Sequence, residues 1–150
     1  MSTFKTRRAS ADDINMIAPL FDAYREFYDQ EPNLEFAKEF INARLKNNES
    51  IIFIAEDETQ NGLGFCQIYP SFCSVIAAPI YVLYDLFVSP EARKSGAGKL
   101  LLEHAHEYAK ANNIPRMDLT TAKNNLNAQS LYESLGWVKD NIFFAYNKSV

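Results

Sequence analysis

Apolar residues recur at helical spacing in some stretches of the chain and crowd into short runs in others, so helices and strands can be placed in order. Residues 3–8 read as a first strand. Ser10–Ala11–Asp12–Asp13 has a capping-box pattern with Asp in place of Glu. Behind it Ile14, Ile17, Leu20, Phe21, Tyr24, Phe27 and Tyr28 share one helical face. Glu31–Pro32–Asn33 breaks this pattern. A second helix, about 34–45, follows with Phe36, Phe40, Ile41 and Leu45 as its apolar positions. The nearly all-apolar run 51–55 reads as a buried strand, 57–62 as a hairpin turn, and 63–72 as a strand with edges loosened by glycine and Pro70. Residues 73–79 link to a strand over 80–88, stopped by Ser89–Pro90. A helix over 97–111 points Leu101, Ala105, Tyr108 and Ala109 inward and ends at Asn112–Asn113 before Pro115. A short strand over 117–121, a polar loop and a helix over 127–135 capped by Gly136 come next. Trp137–Val138 and Phe143–Tyr146 read as a terminal pair of strands. The order β α α β β β α β α β β predicts a single-domain α/β fold with a mixed sheet of about six to seven strands and helices on both faces.

Composition narrows the classes. The chain has 150 residues, enough for one domain with a sizeable core. Hydrophobic residues make up 47%, with eleven Phe and eight Tyr, which excludes a disordered chain. The formal net charge of −4 argues against a general nucleic-acid binder and is easier to reconcile with cationic partners such as amines. No stretch approaches the roughly 18 consecutive apolar residues of a membrane span, and the N-terminal residues lack the apolar run of a secretory signal. Cys66 and Cys73 read as core thiols of a reducing, cytoplasmic setting. His104 and His106 lie two apart on a helix, so they face differently, and two histidines are too few for a typical zinc site. No metal is expected.

The candidate chemistry begins where the strand ending at Val88 runs into the loop Arg93–Lys94–Ser95–Gly96–Ala97–Gly98 and then into a helix. That order gathers free backbone N–H groups at a positive helix end, which suits a phosphate. Two familiar loops do not fit. A nucleotide-triphosphatase loop needs glycine where Arg93 stands and Ser or Thr where Leu100 stands. A dinucleotide fingerprint needs a third glycine where Leu101 stands. What remains is Arg-x-x-Gly-x-Gly, carried by Arg93, Gly96 and Gly98. Taken alone, the same residues also describe a tight turn with solvated bases. Downstream, Asn127 to Trp137 carries Asn-x-x-Ser-x-Tyr-x-x-x-Gly-Trp.

The loop and this segment, with one strand between them, resemble the GNAT family of N-acetyltransferases. The segment matches in its Tyr-x-x-x-Gly-aromatic end, with Ser130 where the family has Ala and Trp137 where it has Phe. The resemblance implies acetyl-CoA as cofactor. The backbone of Ser95, Gly96, Ala97 and Gly98 would bind its pyrophosphate, and Arg93, Lys94 and Lys99 would neutralise phosphates. Main-chain groups of Leu86, Phe87 and Val88 would meet the acetyl and pantetheine portions. Asn127 and Ser130 would lie along the pantetheine arm, and Tyr132 would protonate the leaving thiolate. Asn127 can equally be a helix N-cap, and Tyr132 a core tyrosine set one position off the Leu131/Leu135 pair.

Asp85 is the anomaly of its strand, since a charge there costs stability without solvent or a partner. Two readings stand. It can accept the amine proton through water or bind the amine, or it can be a structural partner of Arg116. Tyr24, Phe27, Tyr28 and Glu31 combine aromatic faces with a carboxylate and suit a cationic acceptor. They equally suit a core helix with an acidic end, the reading preferred for Phe27. The expected activity is direct acetyl transfer to a primary amine in a ternary complex. A small amine or polyamine-like acceptor is favoured, in line with a resemblance to the amine, polyamine and histone subgroup. Protein N-termini or lysines, a non-catalytic acyl-CoA-binding domain and an interaction module are the alternatives. Exposed terminal strands would make a homodimer plausible.

Overall fold

Hydrophobic alternation becomes a five-stranded sheet in the computed structural model, which describes residues 3–150. The first two residues of the stretch assessed above for a signal pattern lie outside that range. The strands β1 (Phe4–Arg8), β2 (Ile51–Asp57), β3 (Gly62–Cys73), β4 (Ala78–Val88) and β5 (Met117–Asp118) lie side by side in sequence order. The first three pairings are antiparallel and β4–β5 is parallel. The helices are α1 (Ile14–Phe27), α2 (Leu34–Lys46), α3 (Ala97–Ala111) and α4 (Leu126–Ser134). Two compact units are present. One ends at Leu119 and the other is Thr120–Val150. Among the described residues no helix is long and apolar enough to cross a membrane, and no group of three or more His, Cys, Asp or Glu is placed to hold a metal.

Successive strand residues face opposite ways, so β2 is buried on both sides. Ile52 and Ile54 pack with Phe65, Phe87 and the inward residues of α1 and α2, namely Ile17, Leu20, Phe21, Ala37 and Ile41. Phe53 faces the other way, stacked on His104 of α3 at 4.4 Å between ring centroids. His104 also bonds Thr6 at 2.8 Å, while His106 is exposed. The capping box forms as expected: Asp13 accepts from the Ser10 amide and Ser10 from Asp12. Arg7 joins Asp13 at 2.8 Å to the buried Glu56 at 2.8 Å, and the hydrogen bond from Arg7 holds the Asp13 carboxyl below its ordinary range.

Several expectations need correction. The sheet has five strands, not six to seven, because residues 137–150 form none. Asp140 takes the amides of Ile142 and Phe143 on its side chain, turning the chain where a ladder would start. Phe143, Phe144 and Tyr146 are left exposed. The expectation of a dimer rested on those strands and loses that support. Phe36 and Phe40 of α2 are exposed, and Ala37 takes the core position beside Ile41. Their rings instead lie beneath the guanidinium groups of Arg25 and Arg44, 5.2 and 4.4 Å away. Cys66 is buried as expected, but Cys73 is only half-buried at the end of β3.

Gly64 marks the closest approach within the sheet. A Cβ there would sit 2.6 Å from the Phe87 carbonyl oxygen. Gly64→Ala should therefore destabilise the fold by about 1–3 kcal/mol, seen as a lower urea midpoint at unchanged m value. An unchanged midpoint would mean that β3 and β4 can separate there without cost.

Candidate active site

The site in the first unit is built by an irregularity of β4. Gln67 pairs with Asp85 and Ile68 with Leu83, so Tyr84 has no partner across the ladder. Such a bulge bends the strand and takes a carbonyl out of the ladder. The freed Tyr84 carbonyl accepts a hydrogen bond from the Tyr24 hydroxyl of α1 at 3.3 Å. Asp85 follows the bulge on the α1 side of the sheet, with Phe87 and Phe65, and is 3% exposed. Gln67 is fully buried and spans two groups. Its Nε2 donates to Asp85 Oδ2, and its Oε1 accepts from Ser50 Oγ at 2.7 Å.

Burial pushes the Asp85 carboxyl up to about 6, although hydrogen bonds from Gln67 and Tyr24 pull the other way. Burial, followed by the nearby Asp85 charge, pushes the Tyr24 and Tyr69 hydroxyls well above the ordinary tyrosine range. On the opposite face of β3, burial pushes the Cys66 thiol up to about 12, so it is inert as a nucleophile at neutral pH. The salt bridge from Asp85 to Arg116 is not formed. Arg116 pairs with Asp118 two residues away, at 2.9 Å.

Four residues past Asp85 the chain turns through Ser89 and a single 3-10 turn, Pro90–Ala92. Arg93 Nε donates back to the Val88 carbonyl at 3.0 Å, and its guanidinium lies 5.8 Å from the Phe27 ring and 5.7 Å from the Phe87 ring. Phe27 is thus 52% exposed against Arg93, a correction to its reading as core. Tyr28 is exposed beside Tyr24, their rings 5.2 Å apart. Glu31 is also exposed, its carbonyl accepting from Arg25 at 3.3 Å.

Lys94 and Gly96 both adopt positive φ, 67° and 94°. The Ser95 hydroxyl accepts the Ala97 amide at 3.2 Å, and α3 begins there. The opening geometry of a helix leaves the amides of Gly98 and Lys99 without intrahelical acceptors. Lys94 and Lys99 are exposed beside them. Gly96 has only the tip of Phe4, 4.0 Å away, near a notional Cβ, so its conformation rather than crowding calls for glycine. This array of amides, left-handed residues and cations fits a diphosphate.

The second unit carries the remaining candidates. Asn127 lies inside α4 and is exposed. The N-cap is Asn125, which accepts the Ala128 amide, so the N-cap reading of Asn127 is corrected. Ser130 is exposed and Tyr132 is the buried residue of α4. The Tyr132 carbonyl accepts the Trp137 amide at 3.1 Å while Gly136, at φ 93°, bonds Glu133, a Schellman closure. Burial on α4 therefore centres on Tyr132 and leaves Leu131 and Leu135 only half-buried.

Sequence reasoning missed Gln67, Ser50, Tyr69 and the bulge at Tyr84. Gln67 could have been noticed as the one polar residue in the run Phe65–Ile68. Its pairing with Asp85 depends on the register of two strands.

The model of the acetyltransferase (GNAT) family matches residues 17–137. The uncharacterized N-acetyltransferase YhfO of Bacillus subtilis is 48% identical over 140 residues, covering 93% of each chain. A crystal structure of a probable acetyltransferase, 37% identical, superposes with a TM-score of 0.91 over 97% of both chains. An acetyltransferase of Clostridium acetobutylicum solved with acetyl-CoA shares the fold at 18% identity, with a TM-score of 0.78 over 97% of this chain and 96% of that one. The chain belongs to the GNAT acetyltransferase family. It is an acetyl-CoA-dependent acetyltransferase.

A carboxyl raised in the folded state favours folding while protonated. That contribution is present below the ordinary 3.8 and is lost as the pH rises through about 6. The difference is worth about 3 kcal/mol. Asp85→Asn should therefore be more stable than the parent at pH 8, by up to that amount, and show no advantage near pH 4. Urea unfolding at the two pH values tests this. An equal difference at both would show that the Asp85 charge carries no folding cost.

Proposed function

We propose that the chain transfers an acetyl group to a primary amine by direct attack in a ternary complex, with a small amine or polyamine-like acceptor. The observation that carries this reading is the Asp85 carboxyl, buried among tyrosines without an ion-pair partner among the described residues and raised to about 6. A base of that strength is ionised at neutral pH, yet basic enough to accept a proton.

Acetyl-CoA supplies an acetyl group activated as a thioester. The amides of Gly96, Gly98 and Lys99, with Arg93 and Lys94, would hold its diphosphate; those of Ser95 and Ala97 already donate within the loop, to Ala92 and to the Ser95 hydroxyl, a correction to their reading as phosphate donors. The loop bearing Gly96 and Gly98 would sit close against those oxygens. Main-chain groups of Leu86, Phe87 and Val88 would lie along the pantetheine arm, and the N–H groups of Leu86 and Val88, which alternate away from β3, would meet the charge that develops on the acetyl oxygen. Asn127 and Ser130 border the same arm. Tyr24, Phe27, Tyr28 and Glu31 form the acceptor wall, where aromatic faces receive a cation and its apolar stem. Asp85 accepts the proton released as the nitrogen–carbon bond forms, directly or through water or the Tyr24 hydroxyl. Tyr132 donates its hydroxyl proton to the sulfur as the carbon–sulfur bond breaks.

Thiol release from acetyl-CoA, measured against small amines, polyamines, amino acids, aminoglycosides and basic peptides, tests the reading. Release with a small amine is expected. Release only with peptides would replace the acceptor class, and none with any acceptor would reduce the protein to a CoA binder. With the active acceptor, Asp85→Asn should lower kcat by roughly 10²–10⁴. Tyr132→Phe should lower kcat while leaving acetyl-CoA affinity intact, and an unchanged kcat would remove Tyr132 from the chemistry. Gly96→Val should weaken acetyl-CoA binding by calorimetry at least tenfold, because φ 94° is strained for any β-branched residue. Parental affinity would take the loop out of the site.

A further inference from the structure

We propose that Gln67, oriented by Ser50, is the positioning residue that keeps Asp85 in the form able to accept a proton. The proposal rests on the reading of Asp85 as the base. It is carried by three side chains from three positions in the sheet. Ser50, immediately before β2, is 6% exposed, Gln67 of β3 is 0% exposed and Asp85 of β4 is 3% exposed. Ser50 Oγ donates to Gln67 Oε1 at 2.7 Å, and Gln67 Nε2 donates to Asp85 Oδ2.

The chemistry of an amide gives this chain a direction. A glutamine has one accepting end and one donating end. With Ser50 bonded to the oxygen, only the NH2 end can face Asp85, and an NH2 group favours the ionised carboxylate. No lysine, arginine or histidine forms an ion pair with Asp85 among the described residues. The titratable groups around it are Tyr24 of α1, Cys66 and Tyr69 of β3 and the neighbouring Tyr84. Tyr28 and Tyr84 act on Tyr24, while Arg44 and Glu49 act on Tyr69. None of the four adjacent groups is a cation. Gln67 is therefore the neutral donor bonded to the charge, and the Tyr24 hydroxyl, whose one proton is shared with the Tyr84 carbonyl, is the secondary one.

A methionine and an alanine would fill nearly the same volume without polar atoms to satisfy, so packing alone gives no reason for a glutamine and a serine here.

The test uses Gln67→Met, close in volume but without a donor, and Ser50→Ala, which removes the orienting hydroxyl with little change in packing. The full chain is labelled with 13C at aspartate carboxyl carbons, and the Asp85 resonance, assigned with Asp85→Asn, is titrated. The pH profile of kcat for thiol release is measured on the same proteins. In Gln67→Met both the Asp85 midpoint and the acid limb of the profile should move up by about one pH unit. Activity lost at pH 6–7 should largely return at higher pH, which a merely structural defect would not do. Ser50→Ala should move both in the same direction by less, and it keeps the test available if Gln67→Met does not fold. A parental Asp85 midpoint in the folded variants overturns the proposal. A midpoint that moves while the rate profile stays fixed sustains the hold of Gln67 on the carboxylate and overturns Asp85 as the base instead.

Discussion

A carboxylate buried in a sheet without a cation is the constraint around which this structure is arranged. Desolvation of Asp85 opposes its charge, and only neutral donors offset it. A lysine or arginine in contact would have depressed the carboxyl and left too weak a base. Solvent would have held it near 3.8. Gln67 and Tyr24 fall between these limits. They stabilise the charge enough for the group to ionise at neutral pH and too little to remove its affinity for a proton. The same arrangement makes the charge a cost to folding, so the stability lost there is tied to the chemistry gained.

The bulge at Tyr84 and the loop after Val88 are two ends of one device. Without the extra residue, the inward alternation of β4 would run unbroken past Asp85, and the Tyr84 carbonyl would be spent in the ladder. With it, that carbonyl fixes the Tyr24 hydroxyl, and the strand continues for three residues to the turn that begins the phosphate-type loop. Gly64 lets β3 approach the Phe87 carbonyl closely at this end of β4. Arg93 then folds its side chain back onto Val88 and the rings of Phe27 and Phe87. The strand carrying Asp85 and the loop carrying the left-handed glycine are thereby braced together, with Phe27 of α1 against the same guanidinium.

The legible parts of the sequence were those governed by local rules. The capping box at Ser10, the helix over 97–111 and the glycine closing α4 follow from residues close to one another in the chain. The glycine-bearing loop and Asp85 were visible because each violates its surroundings, one by flexibility and the other by charge. What escaped depends on register. Gln67 and Ser50 are ordinary polar residues until β2, β3 and β4 are aligned, and only that alignment turns them toward Asp85. The terminal residues erred in the opposite direction. Their short apolar runs are those of strands, but a strand needs a ladder, and Asp140 claims the amides of Ile142 and Phe143 for a turn. Phe27 shows why apolar periodicity does not mean burial. Its ring lies against the Arg93 guanidinium rather than in the core.

In the role proposed for it, Asp85 is limited by its strength as a base. An alkyl ammonium has a pKa near 10, about four units above the carboxyl, so outright transfer from a free ammonium to Asp85 is uphill by roughly 5 kcal/mol. The proton can move easily only once bond formation to carbon has made the nitrogen acidic. The base must therefore already be aligned when attack begins, which places the demand on orientation rather than on basicity. On the proposed reading, an amine entering beside Tyr24 and Tyr28 gives up water, which disfavours its charged form, while contact with the ring faces offsets part of that loss. A moderate base held rigidly beside an apolar, aromatic entrance is thus a consistent solution, where a stronger base would simply arrive protonated.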